Sequence, residues 1–210
     1  AAAAVAAVAL LVRSRRRTPR ALHVRGRLVH VFPHVSAARP LVARSTGGGE
    51  DSSSKHRTRD DLHAALARCA EGSEPVGLDA EWPPRSRKTV SVVQIASMSE
   101  VLVIQLPGLS KVEREALSTF LARTDVFKVG VGVVSDVMRL RDEGFHVASA
   151  VDIVDDLATA LPLSPGDRPR EGSRSLAFLS RKWLAFHLPK DEQCSDWARE
   201  RLSRAQVTYA

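Results

Sequence analysis

The sequence predicts an α/β domain built on a mixed sheet that is flanked by helices. Three β-branched runs follow one another between residues 76 and 106, which is typical of an antiparallel meander. After residue 110, helical and strand patterns alternate, and such alternation favours parallel pairing. The 44% hydrophobic content is that of a globular protein with a sizeable core. Three antiparallel strands followed by parallel ones are therefore expected.

The ordered pattern begins at about residue 58. The stretch "TRDDLHAALARCA" places apolar residues from Leu62 to Cys69 at helical spacing, behind acidic residues that suit a first helical turn. The three β-branched runs come next, and a turn-like "MSE" separates the last two. We predict these strands at 76–82, 89–97 and 101–106.

The second half of the ordered region alternates helices with short strands. A helix is predicted near 111–123, a strand over "VFKVGVGV" (126–133) and a second helix at about 135–143. A short strand follows around "SAVDIV" (149–154), and helical segments continue to the end of the chain.

The N-terminal part of the chain has a different composition. Residues 1–49 contain nine Arg and no acidic residue, and the remaining 22 basic residues face 24 acidic ones. The net charge of +7 therefore belongs to this segment and gives no argument that the ordered domain binds phosphate. We predict a leader and Gly/Ser linker over 1–57 and the domain proper over 58–210.

The leader is typical of an organellar transit peptide, because it is rich in Arg and lacks acids. A mitochondrial or plastid location is therefore expected, with the nucleus as a further option. The twelve apolar residues "AAAAVAAVALLV" give no clear membrane span, which needs about 20. A truncated signal anchor and a mistranslated leader are the alternatives. Cys69 and Cys194 suggest neither a disulfide framework nor a zinc site.

The stretch "GLDAEW" places two acids inside a predicted strand. Because strand side chains alternate, Asp79 and Glu81 share one face of the sheet. Two neighbouring carboxylates repel each other and resist burial. A divalent cation such as Mg²⁺ would resolve the conflict, since it takes carboxylate oxygens as ligands. The alternative is a sheet face open to water.

Two further stretches carry candidate site residues. In "FKVGVGVVSDVMRL", Asp136 stands at or near a helix start, where an ordinary N-cap is the alternative. A phosphate-binding G-x-G-x-x-G loop is not supported, because Ser135 stands where Gly is needed. In "CSDWARERLSRAQVTYA", Gln206 and Tyr209 share a helix face. Tyr209 is either a packing residue or a group that holds an attacking water by a hydrogen bond.

Together these stretches resemble the DEDDy subgroup of the DEDD superfamily of 3′-5′ exonucleases. "LDAEWPP" is similar to the first motif of that family, and "KVGVGVVSDVMRL" with "DEGF" and "VDIVDDLA" is similar to the second motif and its continuation. "RSLAFLSRKWL", "LPKDEQCSDW" and "LSRAQVTYA" resemble the approach to the third motif. The resemblance covers about residues 58 to 210 and implies an RNase H-like fold.

The resemblance also implies roles for particular residues. Asp79, Glu81 and Asp136 correspond to three metal-binding acids, and Tyr209 corresponds to the catalytic tyrosine. The family's fourth acid follows that tyrosine by four residues, beyond Ala210, so the domain is expected to be truncated at its C-terminus. Asp152 or Asp155 is an alternative for this fourth acid, although the family uses that stretch structurally.

The implied activity is hydrolysis of phosphodiester bonds at the 3′ end of DNA or RNA. Two Mg²⁺ or Mn²⁺ ions would assist, nucleoside monophosphates would be released, and DNA repair is the expected setting. Arg85, Arg87 and Lys88 are candidate phosphate contacts, or else parts of a solvated loop. A catalytically inactive binding module and an internally cutting nuclease are the alternatives. No protein partner is predicted.

Three other residues are predicted to be structural. Trp82 is expected in the core, and Trp197 is expected to pack the third motif against the sheet. Lys128, at the start of the strand before the second motif, has no predicted role in the site.

Overall fold

Six strands form a mixed sheet in the computed structural model. The structure describes residues 62–71, 74–84, 89–98, 100–154, 175–181, 187–188 and 190–210, together with the backbone of 28–32 and 182–184. The strands are β1 (Leu28–Phe32), β2 (Val76–Glu81), β3 (Val92–Ala96), β4 (Glu100–Gln105), β5 (Lys128–Gly130) and β6 (Ala150–Asp152). Their order across the sheet is β1-β4-β3-β2-β5-β6.

Five α-helices accompany the sheet in the described part of the chain. They are α1 (Leu62–Cys69), α2 (Lys111–Ala122), α3 (Val133–Asp142), α4 (Leu176–Leu184) and α5 (Arg204–Tyr209), and a 3₁₀ turn at Leu106–Gly108 follows β4. Within the described residues, no helix combines the length and the apolar character that crossing a bilayer requires.

The strand directions confirm the predicted mixed sheet. β2, β3 and β4 pair antiparallel in chain order, as a meander does. β5 then pairs parallel with β2, and β6 pairs parallel with β5. One strand was not expected, because β1 lies within the predicted leader and pairs parallel with β4.

The two faces of the sheet carry different layers, because side chains alternate along each strand. One face packs on α1, α2 and α3, through residues such as Leu78, Ile95 and Leu102. The opposite face of β3 and β4 packs on Trp197 and α5 in a smaller apolar cluster. That cluster contains Val92, Ala96, Val101, Val103, Val207 and Ala210.

The junction between β5 and α3 is closely packed. A Cβ atom added at Gly130 would lie 2.7 Å from the Cβ of Val133 and 3.0 Å from the carbonyl oxygen of Leu78. Gly132 has a left-handed φ of 71° and is the N-cap of α3, so the helix begins at Val133 rather than near residue 135 as predicted. The N–H of Gly132 donates to Oδ2 of Asp152 at 2.9 Å.

Lys128 at the start of β5 is fully buried and structural, as predicted. Its Nζ donates to the carbonyl oxygen of Arg123, the C-cap of α2, and to that of Ala148 at 3.0 Å. Burial lowers the pKa of Lys128 to about 8. Its ammonium therefore satisfies a carbonyl group at the C-terminal end of α2, a favourable place for a cation, and a second one in the segment before β6.

Candidate active site

Asp79 and Glu81 lie on the face of β2 that α5 covers. The antiparallel register of β2 with β3 pairs Asp79 with Gln94 and Glu81 with Val92. Val92 belongs to the apolar cluster beneath α5. Glu81 is buried and Asp79 is half-buried. Oδ1 of Asp79 accepts a hydrogen bond from the N–H of Ala80 at 3.0 Å. The alternative of a sheet face open to water is therefore not supported for Glu81.

Asp136 lies in the first turn of α3, directly after the tight junction with β5. Its side chain is buried, with 6% of its surface exposed. The N-cap position is occupied by Gly132, four residues earlier, so Asp136 is not the cap of this helix. A carboxylate near a helix N-terminus is favoured by the helix dipole. Helix capping therefore does not explain the acid at position 136. A buried carboxylate needs a partner that stabilises its charge.

The structure brings the three acids into one electrostatic neighbourhood. Burial raises the pKa of Asp79. Burial, followed by the charges of Asp79 and Asp136, raises the pKa of Glu81 to about 8. Burial and the charge of Asp79 raise the pKa of Asp136 to about 8 as well. A cluster in which burial opposes the ionisation of all three acids, and neighbouring carboxylates oppose that of Glu81 and Asp136, is a place where a cation would be stabilising.

Tyr209 on α5 faces the same cluster. Burial, followed by the charges of Glu81 and Asp79, raises the pKa of its phenol above the usual value, so the hydroxyl stays protonated and neutral. Its ring lies 5.9 Å from the ring of the buried Trp197, centroid to centroid, with 48° between the ring planes. The four residues singled out from the sequence therefore come together from β2, α3 and α5.

A hydrogen-bond network holds α5 over the sheet. Nε2 of Gln206 donates to Oγ of Ser195 at 2.9 Å and to the carbonyl oxygen of Asp196 at 3.0 Å. Oε1 of Gln206 accepts from the N–H of Ser203 at 2.8 Å, which completes a capping box at the start of the helix. Trp197 is fully buried against the sheet, as predicted. This anchoring determines where Tyr209 stands.

Two residues beside the site were not identified from the sequence. The guanidinium of Arg139 lies 3.9 Å from the centre of the Trp82 ring, and its charge opposes the rise in the pKa of Asp136. Trp82 is partly buried against the core, in agreement with its predicted packing role. The spacing of Asp136 and Arg139, three residues apart on a helix, was the available signal for Arg139. Gln94, opposite Asp79, had no such signal.

The remaining candidates divide into two groups. Arg85, Arg87 and Lys88 lie outside the described residues, and so does Asp155, so their roles stay predictions. The carboxylate of Asp152 accepts backbone hydrogen bonds from Gly132 at 2.9 Å and Val154 at 3.1 Å. Both carboxylate oxygens of Asp152 thus stabilise the backbone, Oδ2 at the β5–α3 junction and Oδ1 directly after β6.

The donor chemistry of the site fits a hard divalent cation. Asp79, Glu81 and Asp136 offer carboxylate oxygens, which Mg²⁺ and Mn²⁺ prefer. Among the described residues, no three His, Cys, Asp or Glu side chains converge closely enough to form a complete ligand set. Mg²⁺ commonly keeps several waters and needs only one or two protein carboxylates together with substrate phosphate. The acids therefore fit the ion by type and charge, without a closed protein cage.

Comparison with known proteins identifies a family. The model of a 3′-5′ exonuclease domain family matches residues 55–210. The exonuclease 3′-5′ domain-containing protein 2 of Mus musculus is 32% identical over 154 residues, which are 69% of this chain and 23% of that protein. The chain thus spans about a quarter of the length of this curated relative.

Solved structures support the fold. The exonuclease domain of Nibbler from Aedes aegypti has a TM-score of 0.58 at 22% identity, over 72% of this chain and 77% of that one. Escherichia coli RNase D, described as an exoribonuclease involved in structured RNA processing, also has a TM-score of 0.58, at 20% identity, over 72% of this chain and 38% of its own. These likenesses confirm the predicted RNase H-like mixed sheet.

Proposed function

This chain belongs to the 3′-5′ exonuclease domain family, and we propose that it removes nucleotides from the 3′ end of nucleic acid by a two-metal mechanism. The products would be nucleoside monophosphates. The observation that carries the proposal is the proximity of two buried acids, Glu81 and Asp136, to the half-buried Asp79 and to a neutral tyrosine, with the pKa of all four groups raised.

The acids would hold the divalent ions. When bound, two Mg²⁺ or Mn²⁺ ions supply the Lewis acidity that activates water and stabilises the leaving oxygen. Asp79, Glu81 and Asp136 would bind them, because a divalent cation offsets the repulsion between the carboxylates and takes the place of the protons that they otherwise retain. Burial of Glu81 and Asp136 excludes water from their side of the site and strengthens these interactions.

Tyr209 would orient the attacking water. Its pKa is raised by burial and by the charges of Glu81 and Asp79, so it keeps its proton and can donate a hydrogen bond throughout the physiological range. The packing on Trp197 and the anchoring of α5 by Gln206 limit its movement. A hydroxyl placed by packed neighbours loses little entropy when it engages substrate or water.

The experiment is a time course with a 5′-labelled single strand and Mn²⁺. The 210-residue chain is compared with a version extended by a helical segment that carries an aspartate four residues after Tyr209. We expect a ladder from the 3′ end with the extended version, lost in its Asp79→Asn and Asp136→Asn variants. Retained trimming in either variant would contradict the site assignment, and Glu115→Asn, on the exposed surface of α2, is the matched control.

A catalytically inactive binding module is the second candidate. It is favoured by the absence, within the described residues, of three side chains that converge on a metal position. On this reading the fold is kept to bind nucleic acid or a protein. Binding of the labelled strand without any metal-dependent shortening, in the extended version as well, would support the module over the enzyme.

The biological setting is a further part of the proposal. We propose delivery to an organelle, because the first 49 residues contain nine Arg and no acid. Processing of DNA 3′ ends during repair is the role that such an activity would suit. Imaging of the full-length protein carrying a C-terminal fluorescent tag tests the location, and a purely cytosolic signal would contradict it.

A further inference from the structure

Gln94 lies at the centre of β3, on the face that carries the acids. The antiparallel register pairs it with Asp79 on β2 and with Val103 on β4, so its side chain points to the same side of the sheet as theirs. The residue is fully buried. Within the described part of the chain, neither its Oε1 nor its Nε2 has a hydrogen-bond partner.

A buried and unpaired carboxamide is unusual in a folded protein. Removal of such a group from water is unfavourable unless it gains a partner, and most buried polar side chains have one. An apolar side chain of the same size would fill this place, on the face that also carries Val92 and Val103, without that penalty. The presence of an amide here therefore requires a reason other than packing.

The NH₂ groups of the other amides in this layer are already engaged. Gln206 donates to Ser195 and Asp196, as described above, and Nε2 of Gln105 donates to the carbonyl oxygen of Arg199 at 3.0 Å, although Oε1 of Gln105 has no partner among the described residues. Asp79 is different, because only its Oδ1 accepts a hydrogen bond among the described residues, from the adjacent N–H of Ala80. Directly opposed residues on antiparallel strands have Cβ atoms about 5 Å apart, within reach of an amide.

We propose that Gln94 is a positioning residue for Asp79: when a divalent cation is bound, Nε2 of Gln94 would donate to the carboxylate and hold it in the orientation that the cation requires. This inference rests on the proposed function of the site. A neutral amide suits the task, because it supplies a donor without adding a positive charge that would compete with the cation. Groups that orient metal ligands in this way commonly contribute a factor of about 10 to 100 in metal affinity.

The test compares Gln94→Met with Gln105→Met in the 210-residue chain. Gln105 is a matched control, since it is a buried Gln on the same face of the neighbouring strand with a partner at Arg199. Mn²⁺ affinity is measured at one pH by the loss of the free-ion electron paramagnetic resonance signal. We expect Gln94→Met to weaken binding about tenfold or more and Gln105→Met to change it less than twofold.

Thermal unfolding in EDTA distinguishes a positioning role from a purely structural one, because the two roles predict opposite changes in the unfolding temperature when Gln94 is replaced. Gln94→Met removes an unpaired buried amide, so the metal-free protein should unfold at an unchanged or higher temperature. Gln105→Met breaks a hydrogen bond and should lower the unfolding temperature. A lower unfolding temperature for Gln94→Met with unchanged Mn²⁺ affinity would overturn the inference.

The outcomes separate the inference from the proposed function. If the unaltered chain binds Mn²⁺ and Gln94→Met binds it equally well, the role of Gln94 is refuted while the metal site stands. If both Met variants weaken binding to the same degree, the effect belongs to the packing of the whole face, and the inference is again refuted. If neither the unaltered chain nor its extended version binds Mn²⁺, the proposed two-metal function fails, and the inference fails with it.

Discussion

At the scale of single residues, Glu81 combines burial with electrostatic repulsion from neighbouring carboxylates. It is buried beside Asp79 and Asp136, and its pKa rises from 4.5 to about 8 for that reason. Between these two pH values the folded protein retains a proton that the unfolded chain has lost. The free energy of unfolding therefore falls as pH rises through this window, and above pH 8 the folded state bears the full penalty of a buried charge.

The variant Glu81→Gln should stabilise the metal-free protein at high pH. In EDTA at pH 9 we expect a gain on the order of 2 kcal/mol in the free energy of unfolding, because the repelling charge is gone. At pH 4, where the carboxyl is protonated in both states, the gain should vanish. Urea unfolding at the two pH values measures the difference, and metal-dependent trimming by the extended version should be lost at the same time.

The control for this prediction is Glu115→Gln. Glu115 is exposed on α2, so its removal should change the free energy of unfolding by no more than about 0.5 kcal/mol at either pH. A gain with Glu81→Gln that is equally large at pH 4 would show that packing, and not charge, is responsible.

At the scale of elements, the β5–α3 junction determines the location of Asp136. The strand ends at Gly130, and α3 begins only three residues later, so the helix start has little freedom. The backbone of β5 approaches both Val133 and the carbonyl of Leu78 too closely for a Cβ atom at Gly130. The position of an acid on α3 therefore depends on a glycine on the preceding strand.

The variant Gly130→Ala should displace α3 and weaken the site. We expect a loss of about 1 to 3 kcal/mol in the free energy of unfolding from overpacking, together with weaker Mn²⁺ binding because Asp136 moves. Urea unfolding and the same resonance titration measure the two effects.

Gly144→Ala provides the comparison for this element. Gly144 has a left-handed φ of 86° after the end of α3, with open space around an added Cβ. Alanine there should destabilise the fold by about 1 kcal/mol through backbone strain alone. Because Asp136 stays in place, Mn²⁺ affinity should be preserved, and a parallel loss of affinity would contradict the link between the junction and the site.

At the scale of the whole molecule, the site joins segments that lie far apart along the chain. Asp79 comes from the central strand β2, Asp136 from helix α3 after β5, and Tyr209 from helix α5. A ligand that binds these residues together binds the native state and not the unfolded chain. Its binding should therefore stabilise the entire domain.

Mn²⁺ should raise the unfolding temperature of the chain. At a concentration 100 times the dissociation constant, the gain is about 2.7 kcal/mol. For a domain of this size that corresponds to a rise of roughly 5 to 10 °C. Differential scanning calorimetry measures it, EDTA should reverse it, and Asp79→Asn should abolish it. A rise that persists in Asp79→Asn would place the ion elsewhere.

The sequence by itself determined the fold class and singled out the candidate acids of the site. The alternation of residues 77–81 puts Asp79 and Glu81 on one face of a strand, and helical periodicity locates α1 and α2, since both are local properties of the chain. The family motifs pointed to Asp136 and Tyr209 as well. These features depend only on the order of residues along the chain, so they can be read directly from the sequence.

Only the tertiary structure decided how these residues act on one another. The raised pKa values of Glu81 and Asp136, the stacking of Arg139 on Trp82 and the unpaired amide of Gln94 arise from contacts between distant segments. The start of α3 at Val133 likewise follows from the left-handed backbone at Gly132. Removal from water and electrostatic interaction depend on distance in space, and no local pattern in the sequence records that distance.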